Sequence, residues 1–277
     1  MFRRPAPALD ISVLRGRVGL IAALLASCIL CLALLAARMI YSGRETYAFL
    51  AWNLVLALIP LSLAFLVDVV MRRGLRIFLP LLLFLWVVFL PNAPYVITDF
   101  VHLSYDPPVP LWFDLLLFTT FAWTGLLLGL ISIHLLKEHA IHHLGAATTW
   151  TLIVIVLAAS STAIYLGRFE QWNSWDLLVR PFTVLKDLFS LRSLPRAAGV
   201  TAGFTAFLLA AYASVEALIS SGRSREASLA LAPSGPRSTP TSQSELPSPA
   251  DSHASQEQTL DQRLRQHQAQ EAPPRAS

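Results

Sequence analysis

Apolar residues in this chain come in blocks long enough to cross a lipid bilayer, and no other feature constrains the fold as tightly. A helix needs about 20 residues to span the hydrocarbon core. Runs of that order fall near residues 18–40, 46–70, 111–136, 146–166 and 197–220, with a shorter one at 76–90. Lipid offers no partner for a backbone N–H or C=O, so spans of this kind are helices. The expected fold is an all-α membrane protein, a bundle of about six transmembrane helices with short interfacial helices. Charged residues make up 14% of the chain, against about 25% in soluble domains, which excludes an ordinary soluble fold.

Three regions follow: an N-terminal segment over 1–17, a membrane domain over 18–220 and a tail over 221–277. The tail is rich in Ser, Pro, Gln and Ala and is expected to be disordered, with a short helix near 256–270. Lys and Arg set the orientation. Arg3, Arg4, Arg15 and Arg17 precede the first span, Arg72, Arg73 and Arg76 lie between spans two and three, and Arg223 and Arg225 follow span six. Arg38 and Arg44 follow span one, and the loop after span three has neither Lys nor Arg. Both termini are thus expected in the cytoplasm. Five basic residues between 168 and 196 run against that pattern, in a long loop that also holds acids. The net charge of +4 therefore reads as topology, and no nucleic-acid partner is expected.

Within the spans, Pro60 and Pro80 are expected to kink their helices, because proline removes a backbone donor. Gly125/Gly129 and Gly199/Gly203 are GxxxG pairs that would let neighbouring helices approach closely. Ser160, Ser161 and Thr162 read as interhelical hydrogen-bonding residues. Cys28 and Cys31 lie in an apolar run, where a thiol is inert, so packing is the expected role.

The polar residues concentrate in one insert. Residues 91–114, PNAPYVITDFVHLSYDPPVPLWFD, carry three Asp, one His and five Pro between two apolar spans. If residues 95–103 are helical, Tyr95, Thr98, Asp99 and His102 share one face and apolar residues fill the other. Asp99 and His102 are the candidate catalytic pair, a carboxylate beside an imidazole, with Asp114 and Asp176 in support. The same pair would suit two ligands of a divalent metal, although no metal motif is complete. The rival reading is an interfacial helix whose polar face meets water. A second stretch, residues 167–176, supplies Arg168, Trp172 and Asn173, which with Tyr95 and Thr98 are candidate binding residues. Arg168 is free to pair with Asp99 or Asp114, or to hold an anionic head group.

Other polar groups fare less well. His134, His139, His142 and His143 are expected in a solvated connecting loop, His139 and His143 being close enough to share a metal. Asp68 and Arg72 are spaced for a local ion pair, and Glu216 is a minor candidate near the end of span six. No phosphate-binding loop, dinucleotide fingerprint, H-E-x-x-H or G-x-S-x-G pattern is present, and no cofactor is indicated.

With these residues identified, the chain resembles a family of bacterial integral membrane proteins known as domain of unknown function 1361. The resemblance rests on FLPNAPYVITDFVHL (89–103), WFD (112–114) and YLGRFEQWNSWD (165–176), with weaker support from the stretch from Asn53 to Pro60. It covers about residues 45–220. It implies a multi-pass helical membrane domain and names no reaction. Three roles stay open: a structural or accessory protein docking a lipid head group or membrane-protein partner, a membrane enzyme using the Asp/His site, and a small-solute transporter. Against transport, the spans show no internal repeat and mid-membrane charges are scarce.

Overall fold

The computed structural model describes residues 11–172, 179–180, 182–183 and 194–231. Among the described residues seven α-helices have defined bounds: α1 (Ile11–Ser42), α2 (Phe49–Arg73), α3 (Leu79–Phe89), α4 (Asn92–Tyr95), α5 (Leu111–Leu144), α6 (Ala146–Phe169) and α7 (Leu194–Leu231). Short 3-10 segments, Arg76–Phe78 and Val96–His102, flank α3 and α4. No strand occurs among the described residues. Among the described residues six helical stretches are long and apolar enough to cross a membrane: Val18–Ser42, Phe49–Arg73, Arg76–His102, Leu111–Leu144, Ala146–Phe169 and Pro195–Gly222. The expectations on residues 1–10, on Asn173 and Asp176, and on the tail from 232 onward fall outside the described residues.

Helix α5 is the centre of the bundle and packs against α1, α2, α4 and α6. Its buried face runs from Asp114 to Leu136. Two apolar clusters form around it. One joins α1, α2, α4 and α5 through residues such as Leu35, Leu54, Ala93 and Phe121; the other joins α2, α3, α5, α6 and α7 through Val67, Trp86, Leu130, Leu157 and Tyr212. Many lipid-length side chains on the outer helix faces stay exposed, Ile29, Val55, Phe84 and Ile155 among them. That is the expected surface of a protein whose solvent is hydrocarbon.

The glycine pair on α5 fixes where the insert lies. A Cβ on Gly125 would stand 2.6 Å from the Ala93 carbonyl oxygen, and one on Gly129 would stand 2.9 Å from the Ala93 Cβ. The close approach expected of this pair is therefore made, not by a second long span but by the short α4. At Gly199 and Gly203 nothing lies within 4 Å, so that pair packs against no neighbour among the described residues.

Several local expectations need correction. Pro80 sits in the first turn of α3, where its missing N–H has no partner to lose, so it starts the helix instead of kinking it. Pro60 does lie inside α2. Ser161 and Thr162 donate to Leu157 and Ala158 of their own helix, at 2.8 and 3.0 Å, and do not bridge to a neighbour. The histidine-rich stretch is no loop, because α5 continues through it to Leu144. Asp68 and Arg72 do pair, at 2.9 Å, and His139 joins the same carboxylate from α5 at 2.9 Å. His134 Nδ1 meets Glu216 at 2.9 Å, and the Lys137 ammonium donates to the same carboxylate. Glu216 thus closes an ion-pair cluster between α5 and α7.

Candidate functional site

The insert begins where α3 ends. Leu90 and Pro91 turn the chain, α4 follows, and from Val96 the helix tightens to 3-10 geometry as far as His102. Tightening to three residues per turn stacks Val96, Asp99 and His102 in one row and Tyr95 and Thr98 in the next. The four polar residues still share a side, as the sequence pattern requires. That side faces the end of α6 and the start of α2: Asp99 is 1% exposed, Tyr95 and Thr98 are half-buried, and His102 at its end remains exposed.

Arg168, in the last turn of α6, is the group they meet. Its Nε and Nη2 both donate to Thr98 Oγ1, at 3.0 and 2.7 Å. Nη2 also donates to Asp99 Oδ1 at 2.7 Å, and Nη1 donates to His102 Nε2 at 2.9 Å. The guanidinium carbon lies 4.8 Å from the centre of the Tyr95 ring. A guanidinium has no acceptor, so His102 Nε2 must present its lone pair and the ring must be neutral, with its proton on Nδ1. Protonating His102 would set donor against donor. The second Asp99 oxygen accepts from Asn53 Nδ2 of α2 at 2.7 Å. Thr98 Oγ1 donates to the Tyr95 carbonyl at 2.7 Å, which fills its hydrogen-bonding capacity.

Gly167 makes this cluster sterically possible. A Cβ there would come within 2.9 Å of the Tyr95 ring, so the glycine lets that ring lie against α6 beside Arg168. Of the other expected binding residues, Trp172 packs against Tyr165, Leu166 and Ala197. Of the second stretch, Arg168 and Trp172 are among the described residues, while Asn173 and Asp176 fall outside them.

Asp114 belongs to a second cluster. Arg38, near the end of α1, grips it side-on: Nε donates to Oδ1 at 2.9 Å and Nη2 to Oδ2 at 3.3 Å. Arg38 Nη2 also donates to Asp106 Oδ2 at 3.2 Å, and the Arg44 guanidinium and the Thr46 hydroxyl bond the same Asp106 carboxylate. The Arg38 guanidinium carbon lies 4.1 Å from the centre of the Tyr47 ring, and the Tyr47 hydroxyl contacts Ser104 N and O at 3.4 Å. Hydrogen bonding from Arg38, followed by the charges of Arg44 and Arg38, holds the Asp106 carboxyl below the usual range.

An aromatic relay connects the two clusters, Tyr47 edge-on to Phe49 at 6.3 Å and Phe49 edge-on to the His102 ring at 5.2 Å. The sequence pattern put Tyr95, Thr98, Asp99 and His102 on one face and left Arg168 free to pair with Asp99 or Asp114; in the structure Arg168 pairs with Asp99, and Asp114 pairs with Arg38. The pattern did not mark Arg38 and Asp106 as site residues. An arginine four residues inside the end of an apolar helix was the available signal, since a charge there requires a partner. Among the described residues no group of three or more His, Cys, Asp and Glu is placed to hold a metal ion.

Comparison with curated proteins and with solved structures found no match. A family model, described as protein of unknown function (DUF1361), matches residues 52–211, from the first turn of α2 to within α7. Asp99, His102, Asp106, Asp114 and Arg168 all lie in that matched region, which is more than half of the chain; the protein belongs to the DUF1361 family.

Proposed function

We propose that this integral membrane protein is a structural or accessory component of the bacterial cytoplasmic membrane. In this reading both termini are cytoplasmic, and the insert end of the bundle is the outer face, where a lipid head group or a membrane-protein partner docks. One observation carries the reading: the side chains that would do chemistry are already engaged with one another. Asp99 has Arg168 on one oxygen and Asn53 on the other, and His102 spends its Nε2 lone pair on Arg168. A general base needs that lone pair free for a substrate proton. Apolar packing between the two ends, with Leu54, Phe121, Leu126 and Leu130 all buried, favours the accessory reading over transport.

Host phenotype separates the readings. In a deletion strain, His102→Ala is expected to restore the wild-type phenotype, because His102 is exposed and supplies only one of Arg168's acceptors. Abolished function with normal protein levels would instead support the enzyme. For orientation, single cysteines at Ser104 and Ser221 are expected to label from opposite sides of the membrane. Labelling from one side would contradict the assignment.

A further inference from the structure

We propose that a pocket beside Arg38 binds a membrane glycerolipid, one of whose ester carbonyl oxygens accepts a hydrogen bond from Arg38 Nη1. The proposal rests on the accessory reading above only in setting this end of the bundle at a bilayer boundary. The pocket, about 360 Å³, lies where the last turns of α1 meet the start of α5; Ala37, Arg38, Tyr41, Val109, Trp112 and Phe113 line it.

The Arg38 side chain is fully buried, and its Nη1 is the one buried side-chain nitrogen or oxygen among the described residues with no hydrogen-bond partner. Nε and Nη2 are committed to Asp114 and Asp106. A buried donor left unmade is costly, far more so than an exposed one, so an acceptor from outside the chain is favoured. Besides Arg38, the polar side-chain groups on the pocket wall are the Tyr41 hydroxyl and the Trp112 indole N–H.

Charge and depth narrow the ligand. Arg38 and Arg44 oppose Asp106 and Asp114, so the cluster is formally neutral and has no surplus charge to draw an anion. A neutral acceptor fits better. Tyr41 and Trp112 flank the pocket, 67% and 66% exposed, and such aromatics mark the boundary layer of a bilayer. The ester groups of a glycerolipid lie in that layer, between the head group and the chains. A lipid seated here would place an ester oxygen at Arg38 and its chain along the apolar wall.

The test uses the full chain, purified and stripped of native lipid, and native mass spectrometry of retained lipid. The probes are dioleoyl phosphatidylcholine and its dialkyl ether analogue, which lacks the two carbonyls. The ester lipid is expected to be retained about tenfold more strongly, the effect of one hydrogen bond from a charged donor. Ala37→Phe fills the pocket from an exposed position, leaves the Arg38 ion pairs in place and is expected to abolish the preference. If that variant does not accumulate, Trp112→Ala, which removes one wall, is expected to weaken retention of the ester lipid. Equal retention of ester and ether lipids, or an ester preference that survives these substitutions, would overturn the proposal. So would tenfold stronger retention of dioleoyl phosphatidylglycerol, because head-group charge would then be what is read. A catalytic role demonstrated for Asp99 and His102 would sink the accessory reading and leave the ester preference standing.

Discussion

Arg168 and Arg38 each carry a guanidinium into a cluster built on the same insert, yet the first has an acceptor at every nitrogen and the second leaves Nη1 unpartnered. Arg168 approaches from the end of α6 and finds Thr98, Asp99 and His102 on one stretch of helix. Arg38 approaches from α1 and finds two aspartates, Asp114 on α5 and Asp106 in the preceding loop. The difference is one of geometry. A row of unlike acceptors at 3-10 spacing can wrap the whole fork of the guanidinium, whereas two carboxylates both choose its Nε and Nη2 side. The first arrangement satisfies every guanidinium nitrogen; the second leaves Nη1 buried without an acceptor from the chain.

The sharpest way to break this comparison is to remove each arginine. Arg168→Ala leaves Asp99 buried without its cation and is expected to cost about 3 kcal/mol or more, read as a large fall in the unfolding temperature in detergent. Arg38→Ala is expected to cost a similar amount through Asp114. Unchanged melting in either variant would show that the cluster it holds does not stabilise the bundle.

Double substitutions separate the two clusters next. Arg38→Met with Asp114→Leu removes a side-on pair together, and is expected to recover most of the single-variant loss, as apolar replacement of a buried pair often does. Arg168→Met with Asp99→Leu is expected to recover less, because Asn53, Thr98 and His102 each lose a hydrogen-bond partner that the apolar pair does not replace. Equal recovery would mean that the extra acceptors around Arg168 contribute nothing.

The bundle itself could be read from apolar run lengths, and the Arg168 cluster from a local pattern, because Tyr95, Thr98, Asp99 and His102 lie within one short helical stretch. Their inward orientation could not be read, since the same spacing serves a face turned to water or to protein. Gly125 and Gly129 announced a close approach, but not that α4 would make it. Arg38 was hidden for a related reason: near a span end, a basic residue reads as an orientation signal until the neighbouring helix shows what it grips. Pro80 reads as a kink only while the helix start is unknown, and Leu79 is where that helix begins. Choice of partner is a property of which helices lie side by side, and nothing local in the sequence specifies it.

A smaller effect comes from pH. Asp106 has its folded value depressed, so its contribution is present above the ordinary carboxylate value of about 4 and is lost as pH falls through the lower folded value. Melting temperature is therefore expected to drop on acidification below about pH 4, and Asp106→Asn to remove part of that slope. A slope unaffected by the substitution would place the acid sensitivity elsewhere. The smallest expected change is His102→Ala, within about 1 kcal/mol, because the residue is exposed and Arg168 retains Thr98 and Asp99.

The contrast between a closed and an open arginine can be measured in the bilayer. Solid-state NMR on protein with 15N-labelled arginine side chains, reconstituted with lipid carrying 13C at the ester carbonyls, reports which guanidinium nitrogens lie against a lipid ester. This contrast predicts a nitrogen–carbonyl contact at Arg38 and none at Arg168. A contact at both arginines, at neither, or at Arg168 alone would contradict it.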